Sequence, residues 1–226
     1  VRRVALLAVL VVLTVAAPAW AGSTVEATGE GEVTLSPDQA LLSLGVTTDA
    51  PTAKQALDDN ARAMTNVLAA LAQAGFTPPD VATRAVSLTP LTDYQRPEKP
   101  QIIGYRANNT VQVKTKDPGS IGRALDAGVK AGANVSGGIA FSLAEPRGAE
   151  TQALRLAVQD AERRATAMAE ALGKRVSRVV EVRALDVERP GPRFEATMAR
   201  RADAPTPIEP GLITVRARAS LKAEIR

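Results

Sequence analysis

From Ile213 to Ile225 every second residue is apolar: Ile213, Val215, Ala217, Ala219, Leu221, Ala223 and Ile225. Thr214, Arg216, Arg218, Ser220, Lys222 and Glu224 fill the alternate positions. A period of two sustained this long suits a strand with one buried face and one wet face, and it fits no helix. The same alternation marks a second segment, where Ile103, Tyr105, Ala107, Val111 and Val113 share one parity. Arg106, Asn108, Thr110, Gln112 and Lys114 share the other. One-sided strands of this kind belong to antiparallel sheets whose apolar face is covered by helices. Asn109 breaks the apolar parity, and a bulge or a satisfied edge position is the expected reason.

The remaining segments give strands and helices in turn. Residues 24–35 read as a strand with a flexible Gly29-Glu30-Gly31 step, for which a twist or bulge is the expected cause. The turn Ser36-Pro37-Asp38 then predicts a hairpin with a second strand carrying Leu42, Leu44 and Val46. Pro51 opens a helix with Ala53, Leu57, Met64, Val67, Leu68 and Leu71 on one face, closed by Gly75 and Pro78-Pro79. A strand over 81–89 and a turn-rich stretch from Pro90 to Pro100 follow. Asp117-Pro118 starts a short helix with Ile121, Leu125 and Val129 on one side. Val135, Ile139, Phe141 and Leu143 mark the next strand.

The longest helix spans Ala149 to Leu172, with the predicted core stripe Leu154, Val158, Ala161, Ala165, Met168 and Leu172. Gly173 ends it, and residues 176–185 read as a strand. Residues 186–211 hold five of the fifteen prolines and read as a long exposed loop. The order is therefore ββαββαβαββ. That predicts an α+β fold: a mostly antiparallel sheet with helices packed on one face, as a single domain over 22–226.

Composition narrows the chemistry. The 226 residues are 45% hydrophobic and 23% charged, which suits a globular chain. Cysteine and histidine are both absent. Disulfides, thiolate metal sites, Ser-His-Asp and Cys-His catalysis and His-ligated metals are excluded with them.

The first residues read as an export signal. Arg2 and Arg3 precede an apolar run from Val4 to Ala17, and Ala19-Trp20-Ala21 supplies a small-x-small cleavage pattern. Cleavage is expected after Ala21, which places the mature chain in the periplasm or outside the cell with no transmembrane segment. Removing residues 1–21 takes away two arginines, so 26 basic residues face 24 acidic ones. No basic cluster is interleaved with aromatics, so no nucleic-acid partner is expected.

Candidate chemistry is thin. Gly29-x-Gly31 lacks the third glycine and the helix of a dinucleotide site. Asp58 and Asp59 are adjacent on a helix and point apart. Asp38, Asp93, Asp117 and Asp126 sit among turns and helix starts, where capping is the default role. Ser120, Ser136 and Ser142 with Lys130 could serve a His-free Ser/Lys site, although their spacing selects none of them. Gly132-Ala133-Asn134 and Ser136-Gly137-Gly138 read as tight turns. No catalytic, cofactor-binding or metal-ligating residue is assigned.

Several short segments together resemble the SIMPL-domain family of secreted and periplasmic domains of unknown function. They are Thr28-Gly-Glu-Gly-Glu-Val33 with Ser36-Pro-Asp-Gln-Ala40, Asp80-Val-Ala-Thr83 with Leu88-Thr-Pro90, and Gly104-Tyr-Arg-Ala-Asn-Asn109. Further along come Gly132-Ala-Asn134 with Gly138-Ile-Ala-Phe141, Ala157-Val-Gln-Asp-Ala161 and Pro207-Ile-Glu-Pro-Gly211. Their order over residues 24–225 makes the combination specific. The resemblance implies an envelope or extracytoplasmic protein with no established enzymatic activity, with some relatives similar to ring-forming, channel-like oligomers and some linked to oxidative-stress tolerance.

Two readings of function stand side by side. One is a non-enzymatic structural or interaction protein that forms homo-oligomers, or binds an envelope protein, by pairing a C-terminal edge strand with a neighbour's. The other is a small-ligand binder, or a hydrolase with a Ser/Lys or carboxylate site. Direct radical scavenging is disfavoured for any stress role. Only Met64, Met168 and Met198 remain as oxidisable sulfur, and the first two are expected to be buried.

Overall fold

The computed structural model describes residues 23–93, 101–188 and 208–226. Its elements follow the order read from the sequence. β1 (Thr24–Leu35) and β2 (Gln39–Ala50) lead to α1 (Ala53–Gln73). β3 (Val81–Asp93) and β4 (Gln101–Thr115) lead through a short 3-10 turn to α2 (Ile121–Lys130). β5 (Val135–Ser142), α3 (Arg147–Ala171), β6 (Val176–Glu188) and β7 (Ile213–Ile225) follow among the described residues. The strands divide between two antiparallel sheets, ordered β1-β7-β6 and β3-β4-β2-β5.

β1 and β2 do not form the expected hairpin. β1 takes β7 as its partner along its whole length, from Thr24 opposite Glu224 to Leu35 opposite Ile213. The Ser36-Pro37-Asp38 turn instead carries the chain from one sheet into the other. Two side-chain bonds fasten this corner. Asp38 Oδ1 accepts from the Ala144 amide at 2.6 Å, and Gln39 Nε2 donates to Ser142 Oγ at 2.9 Å.

β7 alternates as its sequence demands, with Val215, Ala217, Ala219, Leu221, Ala223 and Ile225 buried. It lies between β1 and β6, so the C-terminal strand is interior and not an edge. Both of its ladders are occupied, which rules out the expected route to assembly through this strand.

α3 covers β1 and β7 with a stripe that differs from the predicted one. The buried residues are Ala149, Ala153, Ala157, Ala161, Ala165 and Ala169, at strict four-residue spacing. Leu154 and Val158 fall on a flank, while Met168 is 46% and Leu172 65% exposed. The reason is distance. A Cβ on Gly29 would stand 2.2 Å from the Ala157 carbonyl oxygen, and one on Gly31 would stand 2.0 Å from that of Ala153. Helix and strand backbones are nearly in contact, and only alanine fits between them. The Gly29–Gly31 step is therefore neither bulged nor irregular, since the β1–β7 register runs unbroken through it.

The four-stranded sheet packs α1 and α2 against β2 and β4. Leu42, Leu44, Val46, Met64, Val67, Leu71, Val111, Val113 and Ile121 form its core. On α1 the buried positions are Ala56, Asn60, Met64, Val67 and Leu71, whereas the predicted Leu57 and Leu68 are over a third exposed. On α2, Ile121 and Ala124 face inward with Gly128, and the predicted Val129 is exposed. All three helices end in the same motif, with a left-handed glycine at Gly75, Gly132 or Gly173. In each, the following amide returns 2.9 Å to a carbonyl five residues earlier: Phe76 to Leu71, Ala133 to Gly128 and Lys174 to Ala169.

Two strands outrun their predicted limits. β3 continues past Pro90 to Asp93, and β6 continues to Glu188. Residues 186–188 of the proline-rich stretch read as a loop at 186–211 thus belong to β6. Most of that stretch, like the residues read as an export signal, lies outside the described residues. Ile208 packs against the core of the four-stranded half and so ties the approach to β7 to that half.

Candidate interaction surfaces

α3 sits over β1 and β7 and barely reaches β6. The β6 residues facing the helix side are those opposite Ala223, Leu221, Ala219 and Ala217, namely Val179, Val182, Ala184 and Val187. Val179, Val182 and Ala184 are left exposed. The other sheet repeats this arrangement. α1 lies over β2 and β4 and touches β3 only marginally. Val86, Leu88 and Pro90, opposite Asn109, Ala107 and Tyr105, face the helix side of β3 and are exposed. β3 and β4 also run on past the end of β2, where Ile102 and Ile103 are about 60% exposed. An apolar strip therefore flanks each helix on the side of an edge strand.

The opposite face of the β1-β7-β6 sheet is charged in rows. Glu32, Arg216 and Glu188 share one cross-strand row, and Glu30, Arg218 and Asp186 share the next. Arg216 Nε lies 3.0 Å from Glu32, and Arg218 Nε 3.2 Å from Glu30. These six side chains line a concavity of about 120 Å³. The hydrogen bond from Arg216 to Glu32 and the charges of Glu32, Glu188 and Glu30 push the guanidinium pKa upward. Further along, Arg178 lies 2.7 Å from Glu224, and Arg183 pairs with Glu181 two residues away on its own strand.

The candidate catalytic groups are not brought together. Ser120 is buried and donates to the Asp117 carbonyl at 2.7 Å. Ser142 accepts from Gln39, and Ser136 accepts a long bond from the Gly138 amide. Lys130 stands exposed at the end of α2. Asp58 pairs with Lys54 and Asp59 with Arg62, each within α1. Asp93 closes β3, and Asp126 lies within α2. Among the described residues no three acidic side chains are grouped as metal ligands, and no helix is long and apolar enough to cross a membrane.

Residues 25–223 match the SIMPL family, described as a protein of unknown function (DUF541). This chain belongs to the SIMPL family. It is 33% identical over 193 residues to the 26 kDa periplasmic immunogenic protein of Brucella melitensis, covering 81% of this chain and 77% of the relative. The Brucella abortus protein of the same name matches to the same extent. The uncharacterized protein YggE of Edwardsiella ictaluri is 28% identical over 162 residues, covering 72% of this chain and 68% of the relative.

In this SIMPL chain four of the segments that carry the family resemblance hold backbone or neighbouring strands together. Gly29 and Gly31 admit α3, and Asp160 of the Ala157–Ala161 segment accepts the Glu30 amide at 3.1 Å. That amide, together with Arg163 and Arg164, lowers the Asp160 pKa against the opposing effect of burial. Within Gly104–Asn109, Arg106 forks onto Asp49 of β2 at 2.8 and 2.7 Å and lowers the Asp49 pKa. Asn108 Oδ1 accepts from Thr47 Oγ1 at 3.1 Å. Asn134 brackets the backbone of Thr47, accepting from its amide and donating to its carbonyl at 2.8 Å each. Its side chain thereby extends the ladder of β2 one step beyond β5.

Two asparagines face the sheet–helix core from different elements. Asn60 on α1 donates to the Val46 and Ala107 carbonyls at 2.8 and 3.1 Å. Asn109 occupies neither a bulge nor an edge, because β4 is paired on both sides there, with Val46 and with Val86. Its Oδ1 is buried without a hydrogen-bond partner. Sequence reading passed over Asn60, whose signal was a polar residue four positions from Ala56 and Met64 in a buried stripe.

Proposed function

We propose that this SIMPL-family chain is an exported periplasmic protein that acts without catalysis, as a self-associating interaction or scaffold protein. The observation that carries the reading is the pair of uncovered apolar strips on β3 and β6. Exposed apolar strips on long edge strands are rare in monomers and are ordinarily covered by a partner. The periplasm is favoured by the printed name of the Brucella relatives and by the signal-like pattern before Gly22.

Light scattering after size-exclusion chromatography of residues 22–226 tests the proposal. A discrete assembly heavier than one chain is expected. A monomer at high concentration overturns self-association. Any part in oxidative-stress tolerance is then indirect, through the envelope. Met64 is buried, but Met168 is exposed, contrary to expectation. A deletion strain complemented with Met168→Leu is expected to tolerate oxidant as the parent does. Sensitivity in that strain would favour direct scavenging.

A further inference from the structure

β6 is the outer strand of its sheet, with β7 on one side and no described strand on the other. Its register against β7 shifts three times, around Ser177, Val180 and Leu185. Each shift inserts an extra residue, and such bulges obstruct indiscriminate edge pairing. Between the second and third, Glu181 to Ala184 run straight.

The charges on β6 are ordered about that straight stretch. Arg178, Glu181, Arg183 and Asp186 all point to the charged face of the sheet, opposite Glu224, Lys222, Ser220 and Arg218 of β7. Arg178 and Asp186 are equidistant from Val182, and so are Glu181 and Arg183. In both pairs the signs are opposite. An antiparallel copy centred on Val182 therefore sets Arg178 against Asp186 and Glu181 against Arg183, twice each. The same register sets Val182 against itself, Val179 against Leu185 and Val180 against Ala184. No like charges meet.

We infer that the partner of the β6 edge is β6 of a second copy, paired antiparallel about a two-fold axis at Val182. The inference rests on the self-association reading and specifies its surface and symmetry. Pairing gives one six-stranded sheet, ordered β1-β7-β6-β6-β7-β1. The exposed Val179, Val182 and Ala184 of both copies then form one apolar strip between the two α3 helices. Cross-strand ion pairs of this kind act chiefly by fixing register and rejecting wrong partners. An isologous contact also needs a self-complementary strand, which β6 provides.

The test uses residues 22–226 and two charge reversals, Arg178→Glu and Asp186→Arg. Each variant alone places like charges opposite each other twice and is expected to lose the two-fold contact, halving the mass of the β6-paired unit. An equimolar mixture restores both pairs across copies and is expected to regain the wild-type mass. Within one chain these residues are too far apart along the strand for such a rescue.

A second arm leaves the charges alone. The chain has no cysteine, so Val182→Cys should give a disulfide-linked pair on mild oxidation, while Val86→Cys on β3 should not. Wild-type mass in both reversals, or cross-linking at Val86 and not at Val182, overturns the β6 pairing and leaves self-association standing. A monomeric wild-type chain overturns both.

Discussion

A Cβ placed on Gly29 would stand 2.2 Å from the backbone nitrogen of Ala161. The obstruction is main chain, so no rearrangement of side chains can remove it. Gly29→Ala and Gly31→Ala are each expected to cost about 3 kcal/mol or more in chemical denaturation. Ala161→Gly should not rescue Gly29→Ala. Wild-type midpoints in the glycine variants would contradict the seating of α3 on β1.

The lowered pKa of Asp160 ties stability to pH. Its carboxylate is held by the Glu30 amide, Arg163 and Arg164. A carboxyl whose folded pKa lies below its unfolded value stabilises the fold fully above the unfolded value, and that contribution fades as pH falls through the folded value. The stability difference between wild type and Asp160→Asn should therefore be flat near neutrality. It should shrink as the pH drops below the ordinary carboxyl value of 3.8. Denaturation series at several pH values measure this. A gap that widens in acid would contradict the assignment.

Asn60 and Asn109 should respond in opposite directions. Asn60→Leu leaves the Val46 and Ala107 carbonyls without that donor and is expected to cost about 2 kcal/mol. Asn109→Val removes an unpartnered buried oxygen, favours the strand conformation and should raise stability by about 1 kcal/mol. Urea denaturation of the two variants tests the contrast. A loss at Asn109 would show that its amide has a partner in solution.

The bracket of Asn134 around Thr47 predicts a local effect. Asn134→Ala is expected to speed amide exchange at Thr47 while amides in β7 keep their protection. Hydrogen exchange read residue by residue by NMR checks it. Unchanged protection at Thr47 would mean that the bracket is dispensable.

The order of elements was legible because each signals itself locally, by period, by helix-ending glycine or by turn residue. Alternation in β7 gave its buried face, of which Ile213 alone is only half-buried. The α3 stripe was not legible, since an apolar pattern favours leucine and methionine, while close backbone approach selects alanine. The need for alanine becomes visible only when Gly29 and Gly31 are known to lie beneath it. The β1–β2 hairpin failed for a similar reason. A short turn suits both a hairpin and a corner between sheets, and the choice depends on β7, far along the chain. Whether β6 or β7 is the edge is likewise a matter of non-local pairing. The candidate surfaces follow from that choice, so sequence pattern alone could not place them.

The four-stranded sheet is drawn from one uninterrupted stretch, Gln39 to Ser142, whereas the three-stranded sheet joins β1 to strands made after it. During synthesis β1 emerges early and finds no sheet partner until β7 follows. The inner half has all its strands and both its helices long before then, so it is positioned to fold first. Completion of the outer half is left to the thirteen residues of β7. A chain built this way leaves β1 without its ladder partner until β7 has been made.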